Sequence, residues 1–241
     1  MNSSEGKNKL INFLVQQWSQ SLLLNEYKEV YIGFESSCTS VRRGGFVDEL
    51  ACNHVEADTR VVLHAYHTAI SHKTMVIRSP DSDVALITLA NLSFFPRSTI
   101  IFETGKGSTA RLLNLTAIEN AMGSTKARSV LGYQVFTGCD TTSAFVGKGK
   151  RKGVKLMLQN SEFLQTFVQI GDSATVSCEV FETLEKFVCS LYGVKCSSVN
   201  EARYRLFCTK ALVSKGFLLA KTHWCNITFA SITKHTSTSK H

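Results

Sequence analysis

Up to about residue 110 the chain alternates short β-branched runs with helical stretches, and beyond that point only helical spacing remains. That order constrains the fold more than any other feature. Strands alternating with helices build a parallel sheet, whereas helices alone must pack on one another. The β-branched runs are 29–34 (EVYIGF), 74–78 (TMVIR) and 98–102 (STIIF), with a polar, glycine-containing loop at 36–45. Before them, Leu10, Ile11, Phe13, Leu14, Trp18 and Leu22 to Leu24 recur at helical spacing, which predicts an amphipathic N-terminal helix. A second helix is expected over 56–72, with Val61, Val62, Ala65 and Ala69 on its inner side. Pro80 ends the second run, and Asp81 begins a helical turn leading into 84–89. Further helices are expected over 112–122, 124–136, 154–158 and onward to about 212. The expected fold is α/β, a small parallel sheet flanked by helices and followed by a helical C-terminal region. The expected segments are an N-terminal helix over 1–28, an α/β domain over 29–140, a helical region over 141–212 and a basic polar tail over 213–241.

Three short acidic motifs fall where a helix starts or an apolar run ends: Glu56-Ala57-Asp58, Asp81-Ser82-Asp83 and Gly138-Cys139-Asp140. In an α/β protein such places gather along one edge of the sheet. Five carboxylates collected there repel one another unless divalent cations neutralise them, so a hard-metal site with oxygen ligands is the natural reading. Phosphodiester hydrolysis is the commonest use of such a site. Each motif also has a plainer reading. Asp58 can be a first-turn acid that complements the helix dipole, and Asp81 or Asp140 can be a cap. It is their order and shared context that favour the metal.

Charge points the same way. Lys and Arg number 27 against 19 Asp and Glu, for a net charge of +8, which favours a polyanionic partner. Soon after Asp140 comes the run Gly147-Lys148-Gly149-Lys150-Arg151-Lys152, leading into a helix. Its glycines let backbone approach a phosphate closely, and helix-start amides with basic side chains hold it. Other candidates are weaker. Gly105-Lys106-Gly107 lacks the upstream glycine of a phosphate-binding P-loop. His64 and His67 share a helix face and His72 ends that helix, so surface and helix-end roles are expected. The eight cysteines include no CxxC pair, which argues against a zinc ribbon, and Cys139 reads as a small buried residue rather than a nucleophile. The first residues lack the apolar stretch of a secretory leader, and no run is long enough to span a bilayer. An intracellular protein with reduced thiols and no membrane contact is expected, with the nucleus favoured.

The ordered set resembles the flap-endonuclease branch of the PIN-domain nucleases. That family has a Glu-Ala-Glu-type motif opening a helix, an Asp-x-Asp motif after a strand, and a Gly-x-Asp motif followed by a helix–two-turn–helix of the form Gly-x-Gly-x-Lys. The segments Glu56-Ala57-Asp58-Thr59-Arg60 and Thr137-Gly138-Cys139-Asp140-Thr141-Thr142-Ser143-Ala144-Phe145 look closest to a multi-copy animal group of PIN-like proteins. The resemblance covers roughly residues 29–170. It implies that Glu56, Asp58, Asp81, Asp83 and Asp140 hold one or two Mg²⁺ or Mn²⁺ ions and serve catalysis. It also implies that Gly147, Lys148, Gly149, Lys150, Arg151 and Lys152 grip the backbone of branched or flapped DNA, with a monovalent cation at the 147–153 hairpin. Two departures stand out. Lys148 lies between the two glycines, where the family has an apolar residue. The only aspartate before Asp58 is Asp48, in a polar loop, whereas the family's first strand ends in a metal-binding Asp. The resemblance therefore implies a domain without that strand, which a partner chain could supply. It leaves two readings, a metal-dependent nuclease and an inactive, nuclease-derived nucleic-acid-binding or interaction protein.

Overall fold

The computed structural model describes residues 4–20, 29–53, 57–138, 145, 148–170 and 177–209. They cluster as two compact units, Met1–Met75 and Val76–His241. The expected tail over 213–241 lies outside the described residues.

In the first unit, α1 spans Ser4–Ser19, with Leu10, Phe13 and Trp18 exposed. The strands β1 (Tyr31–Phe34) and β2 (Ser37–Ser40) form an antiparallel hairpin that pairs Tyr31 with Ser40 and Phe34 with Ser37. Part of the stretch expected as a loop is thus β2. Its local composition is that of a turn, but pairing with β1 satisfies its backbone and buries Cys38. A 3₁₀ turn at Asp48–Leu50 inserts a fully buried Leu50. Helix α2 (Ala57–Ala69) lies against the hairpin at Gly33, where an added Cβ would come within 3.1 Å of both Arg60 Cδ and His64 Nε2. Arg60 fastens this corner, donating to the Glu35 and Cys52 carbonyls and to Cys52 Sγ. His64 departs from its expected surface role. Its Nε2 is buried without a hydrogen-bond partner among the described residues, and desolvation, with Arg60 and His67 nearby, holds its pKa below the ordinary value. His72 does sit at the helix end, its Nδ1 3.3 Å from the Thr68 carbonyl.

A three-stranded sheet, which begins at the boundary between the units, has the order β3-β4-β5, with β3 at Thr74–Arg78, β4 at Thr99–Thr104 and β5 at Arg111–Asn114. It is mixed, since β5 runs antiparallel to β4, and only β3 and β4, joined through α3 (Ser82–Ala90), keep the expected parallel relation. Residues 112–114, expected to start a helix, instead pair with 101–103. Asn114 then caps α4 (Leu115–Met122) by accepting the Ala117 N–H, which moves the helix start to Leu115. Alternation along β3 and β4 buries Met75, Ile77, Ile100 and Phe102 on one face. On the other, Arg78 pairs with Glu103 at 3.4 Å.

Helices α5 (Ser124–Thr137), α6 (Lys150–Gln159), α7 (Ser161–Gln169), α8 (Cys178–Tyr192) and α9 (Val199–Thr209) form the expected helical region. Their core is aromatic: Phe167 lies 4.9 Å from Phe187 and about as close to Tyr133 and Phe136, all at steep edge-on angles. Gly132 lets α5 touch α7, because a Cβ there would lie 1.9 Å from the Phe167 carbonyl oxygen. No helix among the described residues is long and apolar enough to cross a membrane.

Candidate functional site

The Asp-x-Asp motif occupies the turn from β3 into α3. Ser79 extends the strand ladder by donating its N–H to the Glu103 carbonyl at 3.1 Å, and its Oγ accepts the Asp81 N–H at 3.1 Å. Asp81 is the N-cap of α3, its Oδ1 accepting the Asp83 N–H at 2.9 Å. Residue 81 therefore does carry out the plainer capping role. One Oδ is occupied, but a carboxylate offers about four acceptor positions, so capping and metal binding are compatible. Asp81 is exposed and Asp83 half-buried, so both can be reached from solvent.

Asp83 is held from a distance of 51 residues in sequence: its Oδ1 accepts Gln134 Nε2 from α5 at 2.9 Å. The other end of that amide, Oε1, accepts Lys150 Nζ from the start of α6 at 2.8 Å. The amide orientation is self-consistent, because flipping it would set oxygen against carboxylate and nitrogen against ammonium. Lys150 Nζ also donates to the Gly138 carbonyl at 3.1 Å. Gly138 closes α5 at φ +90°, a conformation that side-chain-bearing residues rarely adopt, and leads within two residues to Asp140. From below, Tyr133 donates its hydroxyl to the Lys150 carbonyl at 3.2 Å, and burial pushes the phenol pKa up to about 12, so it stays a donor. One continuous network thus joins Asp83, Gln134, Lys150 and Gly138.

The basic run divides by role. Lys148 Nζ stands 5.1 Å from the centroid of the Tyr192 ring, and Lys150 is engaged as above. Arg151 and Lys152 are exposed on the first turn of α6. Gly149 is open, since none of the described residues lies within 4 Å of where its Cβ would be.

Of the sequence-predicted residues, Asp81, Asp83, Lys150 and the Gly138 end of the third motif come together. Asp58 lies on the first turn of α2 in the other unit. Glu56, Asp140 and Gly147, like Cys139, lie outside the described residues. Among the described residues no three His, Cys, Asp or Glu side chains form a metal-binding group. The pair Asp81 and Asp83 nonetheless has the donor chemistry of a hard divalent cation, anionic oxygen with no thiolate or imidazole. Sequence reasoning missed Gln134. The signal available was a lone amide within the apolar stretch 130–136, six residues before Asp140. Comparison with protein-family models, with curated proteins and with solved structures finds no match to this chain.

Proposed function

We propose that this chain is a divalent-metal-dependent, structure-specific DNA nuclease domain of the flap-endonuclease-like PIN type. The reading is carried by the network that ties the Asp-x-Asp turn to the Gly138 end of the third motif and to the start of the basic helix. It is what a nuclease needs, acidic oxygens for metal beside cationic groups for phosphate. Asp81 and Asp83 would contribute to holding one or two Mg²⁺ or Mn²⁺ ions, a role that the sequence resemblance gives also to Glu56, Asp58 and Asp140. When bound, such ions supply an acidified water and neutralise charge on the scissile phosphodiester. The chain's own part is to fix the carboxylates and bind DNA: Gln134 holds Asp83, Arg151 and Lys152 neutralise backbone phosphates, and the open Gly149 admits them closely. Such contacts carry no sequence information, so selection would be for DNA shape.

A binding module without turnover is the second reading. It is favoured by Asp81, which already serves as the N-cap of α3, a role that needs no metal. One experiment separates the two: cleavage of a labelled 5′-flap duplex with Mn²⁺ or Mg²⁺, wild type beside Asp81→Asn/Asp83→Asn. Asn caps a helix as well as Asp and still accepts from Gln134, so the variant loses charge and keeps the fold. Metal-dependent cleavage by wild type alone supports the nuclease. Salt-sensitive binding by folded wild type without cleavage leaves the module.

A further inference from the structure

The sequence assigns Lys150 to the phosphate grip, yet two of its three ammonium donors are engaged inside the protein, on Gln134 Oε1 at 2.8 Å and the Gly138 carbonyl at 3.1 Å. Turning both of those donors to a phosphate would release Gln134, the amide that ties Asp83 Oδ1 to α5. We propose that Gln134 and Lys150 are positioning residues of the metal site, and that the phosphate grip on this helix belongs to Arg151 and Lys152. The inference rests on the metal reading above and assigns new roles within it. Gln134 is well suited. Its amide passes the cationic influence of Lys150 to Asp83 without placing the ammonium on the carboxylate, so Asp83 keeps its charge and its remaining acceptor positions for a metal. Lys150 in turn draws the C-terminal carbonyl of α5 to the start of α6, which sets where the chain leaves α5 on its way to Asp140. Neutral hydrogen-bonding partners of metal-binding carboxylates commonly affect affinity by roughly 10- to 100-fold.

The test compares wild type, Gln134→Met, Lys150→Met, Lys150→Arg and the double variant Gln134→Met/Lys150→Met. Mn²⁺ affinity is read from the free-ion electron paramagnetic resonance signal, after far-UV circular dichroism shows each variant folded. Each Met variant is expected to bind Mn²⁺ roughly 10-fold more weakly. The double variant should be little weaker than either single one, because both changes cut the same link, and Lys150→Arg should recover part of the loss. In parallel, the salt dependence of flap-duplex binding should keep its slope in Lys150→Met. In Arg151→Ala/Lys152→Ala it should fall by about 1 to 2, near 0.9 for each phosphate no longer neutralised. A wild type that takes up no Mn²⁺ overturns the metal reading and this inference with it. A wild type that binds Mn²⁺ while the Met variants match it within about twofold overturns the inference alone. A Lys150→Met slope lowered as for a phosphate-neutralising lysine, with Mn²⁺ affinity intact, returns Lys150 to the DNA.

Discussion

Gly153 is where the helical core and the candidate site meet, and replacing it with alanine tests both. An added Cβ would lie 2.0 Å from the Tyr133 hydroxyl, 2.7 Å from Cζ and 2.9 Å from Cε2. Approaches shorter than 3.0 Å are essentially never made by a real Cβ, so α6 and the ring must separate by at least about 1 Å. The ring cannot swing aside, since Tyr133 is 2% exposed and lies edge-on to Phe167 at 5.5 Å and Phe187 at 6.0 Å. Overpacking of this kind costs about 1–3 kcal/mol. Stretching the hydroxyl's bond to the Lys150 carbonyl adds roughly 1 kcal/mol, and the gain in helix propensity from Gly to Ala returns roughly the same amount. Gly153→Ala should therefore destabilise the protein by about 2 kcal/mol. Removing the hydroxyl identifies the cause. Tyr133→Phe leaves Cζ as the nearest atom, so the shift demanded falls to a few tenths of an ångström, and Gly153→Ala in that background should cost about half as much or less. Urea unfolding should be followed by far-UV circular dichroism, which reads the helices of this core directly. A cost below about 0.5 kcal/mol, or the same cost in both backgrounds, refutes the argument.

Glu185 is 4% exposed and its Oε1 accepts the Val199 N–H at 3.1 Å, so Glu185→Ala leaves a buried donor unpaired and should cost about 2 kcal/mol in urea unfolding, while Glu185→Gln, which keeps the acceptor, should cost much less. His64 has a folded-state pKa below its ordinary 6.5, so the unfolded chain binds its proton more readily; stability is complete above about pH 6.5 and declines as pH falls below it. Its imidazole resonances should titrate below 6.5, and His64→Leu should flatten that part of the stability profile; a titration at or above 6.5 refutes the burial argument.

Elements whose cause is local were legible in the sequence. The β3–α3–β4 unit could be read from a β-branched run, a Pro80 stop and an aspartate at a helix start, because capping is decided within one turn of chain. The strands β2 and β5 could not. Residues 37–40 have turn composition, and Leu112 and Leu113 continue a helical pattern, yet both segments become strands because a neighbour's backbone is there to pair with. Asn114 carried a usable local signal for the true start of α4. In the candidate site, Asp81 and Asp83 were legible by motif. Gln134 was not, since it meets Asp83 across 51 residues, and no periodicity encodes a pairing at that separation. Lys150 was found as a basic residue, but its partners lie 16 and 12 residues back on α5, so composition alone suggested a solvent-facing cation.

What Gln134 does for Asp83 bears on why the acidic turn exists at all. An N-cap aspartate and a first-turn aspartate are already favoured by the helix dipole, and a lysine or arginine laid directly on them would stabilise them further. Among the described residues neither Asp81 nor Asp83 has such a partner, although the chain carries 27 Lys and Arg. Asp81 accepts a backbone N–H and Asp83 a neutral amide, while the nearest engaged ammonium, Lys150, stops one hydrogen bond short. A direct ion pair would have used the charge. The arrangement present fixes the geometry of the two carboxylates and leaves their charge to be answered by something from solution. The divalent cation of the proposed function is of the right chemistry to answer it, since hard cations take anionic oxygen ligands.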